Sequence, residues 1–271
     1  MLAVIPWFEV PIFRIPLGGD LVIPIHGFGI LVALGFLVGG RVAMERARAT
    51  SLDASKVNAV ISWLVAGTFI GGHVGYGLMY QPAEYFADPI KFLKVWQGLS
   101  SYGGFAVCVP LAIWFFRSER LPILPYLDTL AWGMTVGWFF GRMGCFVAHD
   151  HPGSASDFAL AVQGICLNGD RSLACHDMGL YEAIWSIGMY VVFLGLSRMR
   201  AWPAGFYTAV IGLSYGPIRF FMDYLRPESN DPRYAGFTPG QWWSLILTVV
   251  CVVMLTRLFR PSAPQPLSEQ T

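Results

Sequence analysis

Charge is what this sequence has least of. Asp, Glu, Lys and Arg together make up 13% of its 271 residues, against roughly one quarter in soluble domains, while 55% of the residues are hydrophobic and the mean hydropathy is +0.53. So little charge excludes an ordinary soluble domain. Basic runs are also lacking, and the net charge is only +1, so no nucleic acid is expected as a partner. The first 23 residues have neither the basic start nor the unbroken apolar core of a cleavable signal, and Pro6, Pro11 and Pro16 oppose a helix there. Nor is there a repeat with a period of 20 to 50 residues, or a hydrophilic stretch long enough for a separate soluble domain.

What is present are apolar stretches of about 20 residues, each long enough to cross a hydrocarbon core of about 30 Å as a helix. Seven are read, at about 24–44, 57–80, 102–117, 124–147, 178–197, 204–225 and 239–258. The expected fold class is an all-α integral membrane protein, a bundle of seven transmembrane helices with an outer-side loop region and an N-terminal arm. Its predicted organisation is an outer-surface arm over 1–23, one membrane catalytic domain over 24–260 and a disordered cytoplasmic tail over 261–271. Positively charged short loops stay on the cytoplasmic side. The connections carrying Arg46, Arg48, Lys56, Arg117, Arg120, Arg198, Arg200, Arg257 and Arg260 fall on one face, which predicts the N-terminus outside and the C-terminus in the cytoplasm. The 149–177 loop is then outside, where Cys166 and Cys175 can close a disulfide, remain as thiols or share a metal with His176.

Glycines four residues apart, at 67, 71 and 75, at 133, 137 and 141, and at 212 and 216, allow close helix packing in lipid. Within the spans two arginines need a reason, because a guanidinium at mid-helix costs about 2.5–3.5 kcal/mol on the insertion scale. Arg219 lies in "GLSYGPIRFFMDYLRPE", where Tyr215, Arg219, Asp223 and Arg226 form one polar stripe. A salt bridge to Asp223 that merely neutralises both charges is its plainest reading. Arg142, in "GRMGCFVAHDHPG", has no acid one turn away in its own helix, so its partner comes from another span or from a ligand. Snorkelling to the interface is the simpler alternative for either residue. Two guanidiniums meeting in one pocket suit a phospholipid phosphate.

"GRMGCF" resembles the "GRIGNF" signature of the prolipoprotein diacylglyceryl transferases, and other motifs follow in the same order. "HGFGILVALGF" from His26 sits where that family has an aromatic-glycine first span. "GGHVGY" from Gly71 resembles "GARLGY", "SSYGG" from Ser100 resembles "SFHGG", "HDMGLYEA" from His176 resembles "HPSQLYEA", and "YGPIRFFMDYLR" from Tyr215 is similar to "YGxxRFxxExxR". The resemblance implies transfer of the diacylglyceryl group of phosphatidylglycerol to the lipobox cysteine thiol of preprolipoproteins in the bacterial inner membrane, with glycerol phosphate leaving. The implied partners are phosphatidylglycerol, a preprolipoprotein signal segment and membrane lipid, and no cofactor is implied.

Carried over by motif position, Arg142 and Arg219 bind the phosphate and stabilise its departure, and Tyr215 and Asp223 orient Arg219. Asp223 stands where the family has a longer glutamate. Four polar positions differ from the family pattern: Cys145 for asparagine, Tyr102 for histidine, His26 for an aromatic and His73 for arginine. With the family histidine absent at Tyr102, candidates to assist proton removal are His26, Tyr102 and His149, with His151 beside the last. His26 is equally a hydrogen-bonded structural residue, and His73 is read as one. Cys145 shares a helix face with Arg142. Its simplest reading is a small residue in a packed substrate site, and a covalent or redox role is the alternative. Asp150 is expected to complete a network that positions Arg142. "HDH" with His176 and Asp177 offers metal ligands, but it lacks a second short-spaced pair, so no metal is assigned. The alternative function is a diverged paralogue with a different acceptor, or a non-catalytic lipid-binding protein.

Overall fold

The computed structural model describes residues 5–18, 21–94, 98–227 and 233–260. In chain order the elements are β1 (Phe13–Gly18), β2 (Leu21–Ile25), α1 (Gly27–Ala49), α2 (Ala54–Tyr80), α3 (Pro82–Ala87), α4 (Ser101–Ser118), α5 (Ile123–Ala148), β3 (Pro152–Ala155), β4 (Val162–Gln163), β5 (Ala174–Asp177), α6 (Met178–Met199), α7 (Phe206–Met222) and α8 (Pro239–Leu258). Among the described residues, long helices fall where the apolar stretches lie. Among the described residues four of them, α1, α2, α6 and α8, are long and apolar enough to cross a membrane, and the protein is an integral membrane protein. Helix α4 has 18 residues, α7 has only 17, and α5 carries Asp128 and Arg142, which lower its hydropathy.

The all-α expectation needs correction, because two small antiparallel sheets are present. Residues read as a surface arm form the β1–β2 hairpin, with Arg14 opposite Pro24 and Pro16 opposite Val22. A two-stranded ribbon has free edges, where a proline that cannot donate costs little. The 149–177 loop folds as a three-stranded sheet with β5 between β3 and β4, and Cys166 is disulfide-bonded to Cys175 of β5. Outside a helix these backbone groups need other partners, and strand pairing supplies them.

The described residues divide into two compact units. The first comprises residues 8–151 and 179–194. Its helices α1 and α5 approach closely at glycine: a Cβ on Gly39 would lie 2.7 Å from the Gly133 carbonyl oxygen, and one on Gly35 would lie 2.8 Å from that of Gly137. Gly141 has no such neighbour and is not part of this seam. Helices α2 and α4 meet in the same way at Gly71 and Gly103. At one end of the unit Ala43, Ala47, Val57, Val60, Phe116 and Tyr126 form the core. Asp53 caps α2 by accepting from the Ser55 N–H. His73 is fully buried, its ring nitrogens 2.8 Å from the Lys91 carbonyl and 3.1 Å from that of Gly98, which is the structural use expected of it.

The second unit comprises, within the described residues, 5–7, 152–178 and 195–260. Ile5 adds a parallel bridge at Val162. Helices α7 and α8 pack at Gly216, where a Cβ would lie 2.9 Å from the Ser244 carbonyl oxygen. α8 opens with a capping box: the Thr238 hydroxyl accepts from Gln241 N–H at 3.1 Å, and the Gln241 side chain accepts from Thr238 N–H at 3.0 Å. The 261–271 tail lies outside the described residues.

Candidate functional site

In the first unit the site is built around Arg142, near the end of α5. Its Nε lies 2.9 Å from Glu182 Oε2 on α6, and its guanidinium sits over the Trp138 ring, 4.9 Å from the centroid. The Trp138 indole N–H donates to the same Glu182 oxygen at 3.1 Å. Glu182 is 3% exposed and Arg142 17%, so each charge depends on the other in a poorly solvated place. The close approach of α6 comes from Gly179, one turn before Glu182, whose position would put a Cβ 3.1 Å from the Arg142 carbonyl oxygen. The missing acid for Arg142 is therefore supplied by another span, from the "LYEA" part of the quoted motif. In the sequence alone Glu182 carries no mark of this role, because its partner lies forty residues away.

Beyond Arg142 the chain turns sharply. His149 caps α5 in the left-handed conformation, at φ 51°, and its Nε2 lies 2.9 Å from the Phe8 carbonyl oxygen. Its ring packs against Phe8 and Phe146. His149, one of the three candidate bases, thus anchors a turn. Asp150 was expected to position Arg142. Its carboxylate pairs with His151 Nδ1 at 2.5 Å, while the carboxylate on Arg142 is that of Glu182. Asp150, and after it Cys145, raise the His151 pKa to about 9. Cys145 is buried and lies 3.8 Å from Arg142 Nη1.

His26 precedes α1 with no side-chain cap bond. It lines a cavity of about 710 Å³ together with Glu9, Val10, Phe28, Val147 and Asp150. Tyr102 is in the first turn of α4, and its side chain lies outside the described residues. Among the described residues the metal-capable group is Cys145, Asp150 and His151, not the set with His176 and Asp177. Burial pushes the His176 pKa down.

In the second unit Arg219 pairs through Nη1 with Asp223 Oδ1, and Arg226 Nη1 approaches the same oxygen at 3.8 Å. Asp223 is 1% exposed. Its other oxygen accepts from the Thr238 hydroxyl, so the N-cap of α8 holds the carboxylate that holds Arg219. Gly240 leaves room for this: a Cβ there would lie 3.1 Å from both Arg219 Nη2 and Asp223 Oδ2. The predicted stripe changes character at its end, because α7 stops at Met222 and Asp223–Leu225 is a 3-10 turn. Pro217 sits inside α7 without ending it, and Tyr215 is half-buried one turn before Arg219. Thr238 and Gly240 went unassigned in the sequence, although "TPGQ" carries the capping pattern of Thr and Gln three apart.

The family model for prolipoprotein diacylglyceryl transferase matches residues 17–257. A phosphatidylglycerol–prolipoprotein diacylglyceryl transferase of Janthinobacterium sp. (strain Marseille) is 31% identical over 249 residues, covering 89% of this chain and 93% of that protein. Proteins with the same name from Cereibacter sphaeroides (strain ATCC 17029 / ATH 2.4.9), at 28% identity with 86% of each chain covered, and from Pseudomonas entomophila (strain L48), at 27% with 85% and 86% covered, are similar as well.

Proposed function

The chain belongs to the prolipoprotein diacylglyceryl transferase family, and on that footing we propose that it transfers the diacylglyceryl group of phosphatidylglycerol to the lipobox cysteine thiol of a preprolipoprotein. A thioether forms and glycerol phosphate leaves. The observation that carries this reading is Arg142, held by Glu182 and Trp138 in a setting with little water. Glu182 engages Nε, and a guanidinium is a planar donor group whose geometry matches a phosphodiester. As the glycerol carbon–oxygen bond breaks, charge grows on the phosphate, and a preorganised guanidinium stabilises that charge without having to reorganise. Arg219, fixed by Asp223 and Thr238 with Tyr215 one turn before it, is read as the second phosphate-binding guanidinium.

The acceptor thiol, with a pKa near 8.5, must lose a proton to become a nucleophile. His26 is the best-placed candidate of those expected, because it opens onto the cavity that Asp150 also lines. Both substrates are lipid-embedded, so entry is from the bilayer. The inner membrane, seven crossings, an outer N-terminus and a cytoplasmic C-terminus are part of this proposal, supported by the loop arginines and the long apolar helices. The test is complementation of cells depleted of their own transferase, with Arg142→Ala and Glu182→Gln as paired variants. Growth restored by the parent chain and lost in both variants is the expected result. Phosphatidylglycerol binding without rescue points to the lipid-binding alternative.

A further inference from the structure

Three side chains to which the reading above gives no chemical step converge beside Arg142. One ligand atom each of Cys145, Asp150 and His151 lies within 4.8 Å of the other two. A thiolate, an imidazole and a carboxylate form a mixed donor set suited to a thiophilic divalent cation of the Zn²⁺ class. Around a tetrahedral centre, ligands at about 2.0–2.3 Å from the metal stand about 3.3–3.8 Å from each other. The Asp150–His151 bond, now 2.5 Å long, must open by about 1 Å, and a pair near the 4.8 Å limit must close by a similar amount.

The backbone prepares this grouping. The left-handed residue His149 folds the chain back over the last turn of α5, so that the Asp150 N–H reaches the Cys145 carbonyl at 3.5 Å. The bond from His149 to Phe8 then pins that turn. Charge is also balanced: Glu182 offsets Arg142, and two anionic ligands offset a dication. Three protein ligands leave a fourth position open, which is the arrangement of catalytic rather than structural zinc. Of the three, Asp150 lines the 710 Å³ cavity.

We propose that Cys145, Asp150 and His151 bind a Zn²⁺-class cation whose open position takes the acceptor's cysteine thiol. This rests on the transferase reading and deepens it. On coordination the R–S–H proton is released to solvent, because a metal-bound thiol is deprotonated outright. A sulfur lone pair then forms the S–C bond to the glycerol carbon while the C–O bond to phosphate breaks. The leaving phosphate takes that electron pair, and Arg142 meets its charge. No oxidant or reductant is involved. Activation of this kind suits a chain with tyrosine at position 102, where the family pattern has a histidine.

The test uses the full chain in detergent, stripped with a chelator and titrated with Co²⁺ as the optical probe. The expected result is one equivalent bound, with a thiolate-to-cobalt charge-transfer band and the intense visible bands of four-coordinate Co²⁺. Both are lost in Cys145→Ser. Asp150→Asn, at an exposed position, weakens binding by about 10-fold or more, which covers the case in which the cysteine variant misfolds. A lipobox cysteine peptide shifts the charge-transfer band, and its serine counterpart does not. A missing thiolate band, or one unchanged in Cys145→Ser, overturns the site, and a band indifferent to the cysteine peptide overturns the open position. Lipidation is followed in parallel: full-rate product from metal-stripped protein in chelator overturns the metal's part while leaving the transferase reading intact. If neither stripped nor loaded protein makes product, the transferase reading fails, and the cobalt spectrum still decides the site.

Discussion

Arg142 and Arg219, both half-buried, are neutralised in different ways. Arg219 finds Asp223 four residues on in its own stretch of chain, and Thr238 at the start of α8 supports that acid from the side. Arg142 finds Glu182 forty residues away on another helix, and only because Gly179 lets α6 approach α5. The first pair is local, and a helix alone brings it together. The second exists only when two helices are packed, so it reports on tertiary structure and is the more fragile. Breaking a buried pair by removing one charge costs about 3–5 kcal/mol, since the other is left uncompensated.

The sharpest way to break this contrast is Glu182→Gln, which keeps shape and removes charge. It is expected to lower the thermal midpoint in detergent markedly and to reduce transfer by about 100-fold or more, on the scale of about 3–4 kcal/mol for a lost electrostatic stabiliser. An unchanged midpoint and rate would mean that Arg142 does not depend on its partner helix.

Next comes Asp223→Asn, expected to lower transfer by about 10-fold to 100-fold, as a charge-assisted hydrogen bond worth about 1.5–3 kcal/mol is lost. Asp223→Glu restores the charge but adds a methylene where the side chain is 1% exposed, so only partial recovery is expected. Kinetics with phosphatidylglycerol vesicles separate the two variants.

Thr238→Val is smaller again. Loss of the cap costs about 1 kcal/mol, and a several-fold rise in KM for the phospholipid is expected, with Thr238→Ser returning it to the parent value. The smallest effect on transfer is expected from replacing Cys166 and Cys175 together by serine. Opening the disulfide loosens the β3–β5–β4 sheet and lowers stability by about 2–4 kcal/mol, while the initial rate at low temperature stays within about 2-fold of the parent, on the premise that the sheet supplies no reacting group.

The same contrast explains what could be read in advance. Apolar length located long helices among the described residues, and helical periodicity placed Arg219 beside Asp223. Both are local properties of the chain. Glu182 could not be paired with Arg142 by spacing, although it stands as the acid in the first turns of an otherwise apolar helix. Cys145, Asp150 and His151 were each visible, but their convergence depends on a left-handed His149, a conformation that a non-glycine residue does not announce. The β1–β2 hairpin was hidden by prolines that argue against a helix without arguing for a strand. Hydropathy located α5 and α7 too, yet the charges that make them interesting keep α5 below the apolar standard of a crossing helix, and α7 is short of the length.

The most direct measurement is the mass shift of a lipobox peptide incubated with phosphatidylglycerol and the purified chain, parent against Arg142→Ala. The expected result is a diacylglyceryl thioether adduct with the parent and a loss of at least about 100-fold with the variant. Adduct formed at the parent rate by Arg142→Ala would contradict the role of this guanidinium.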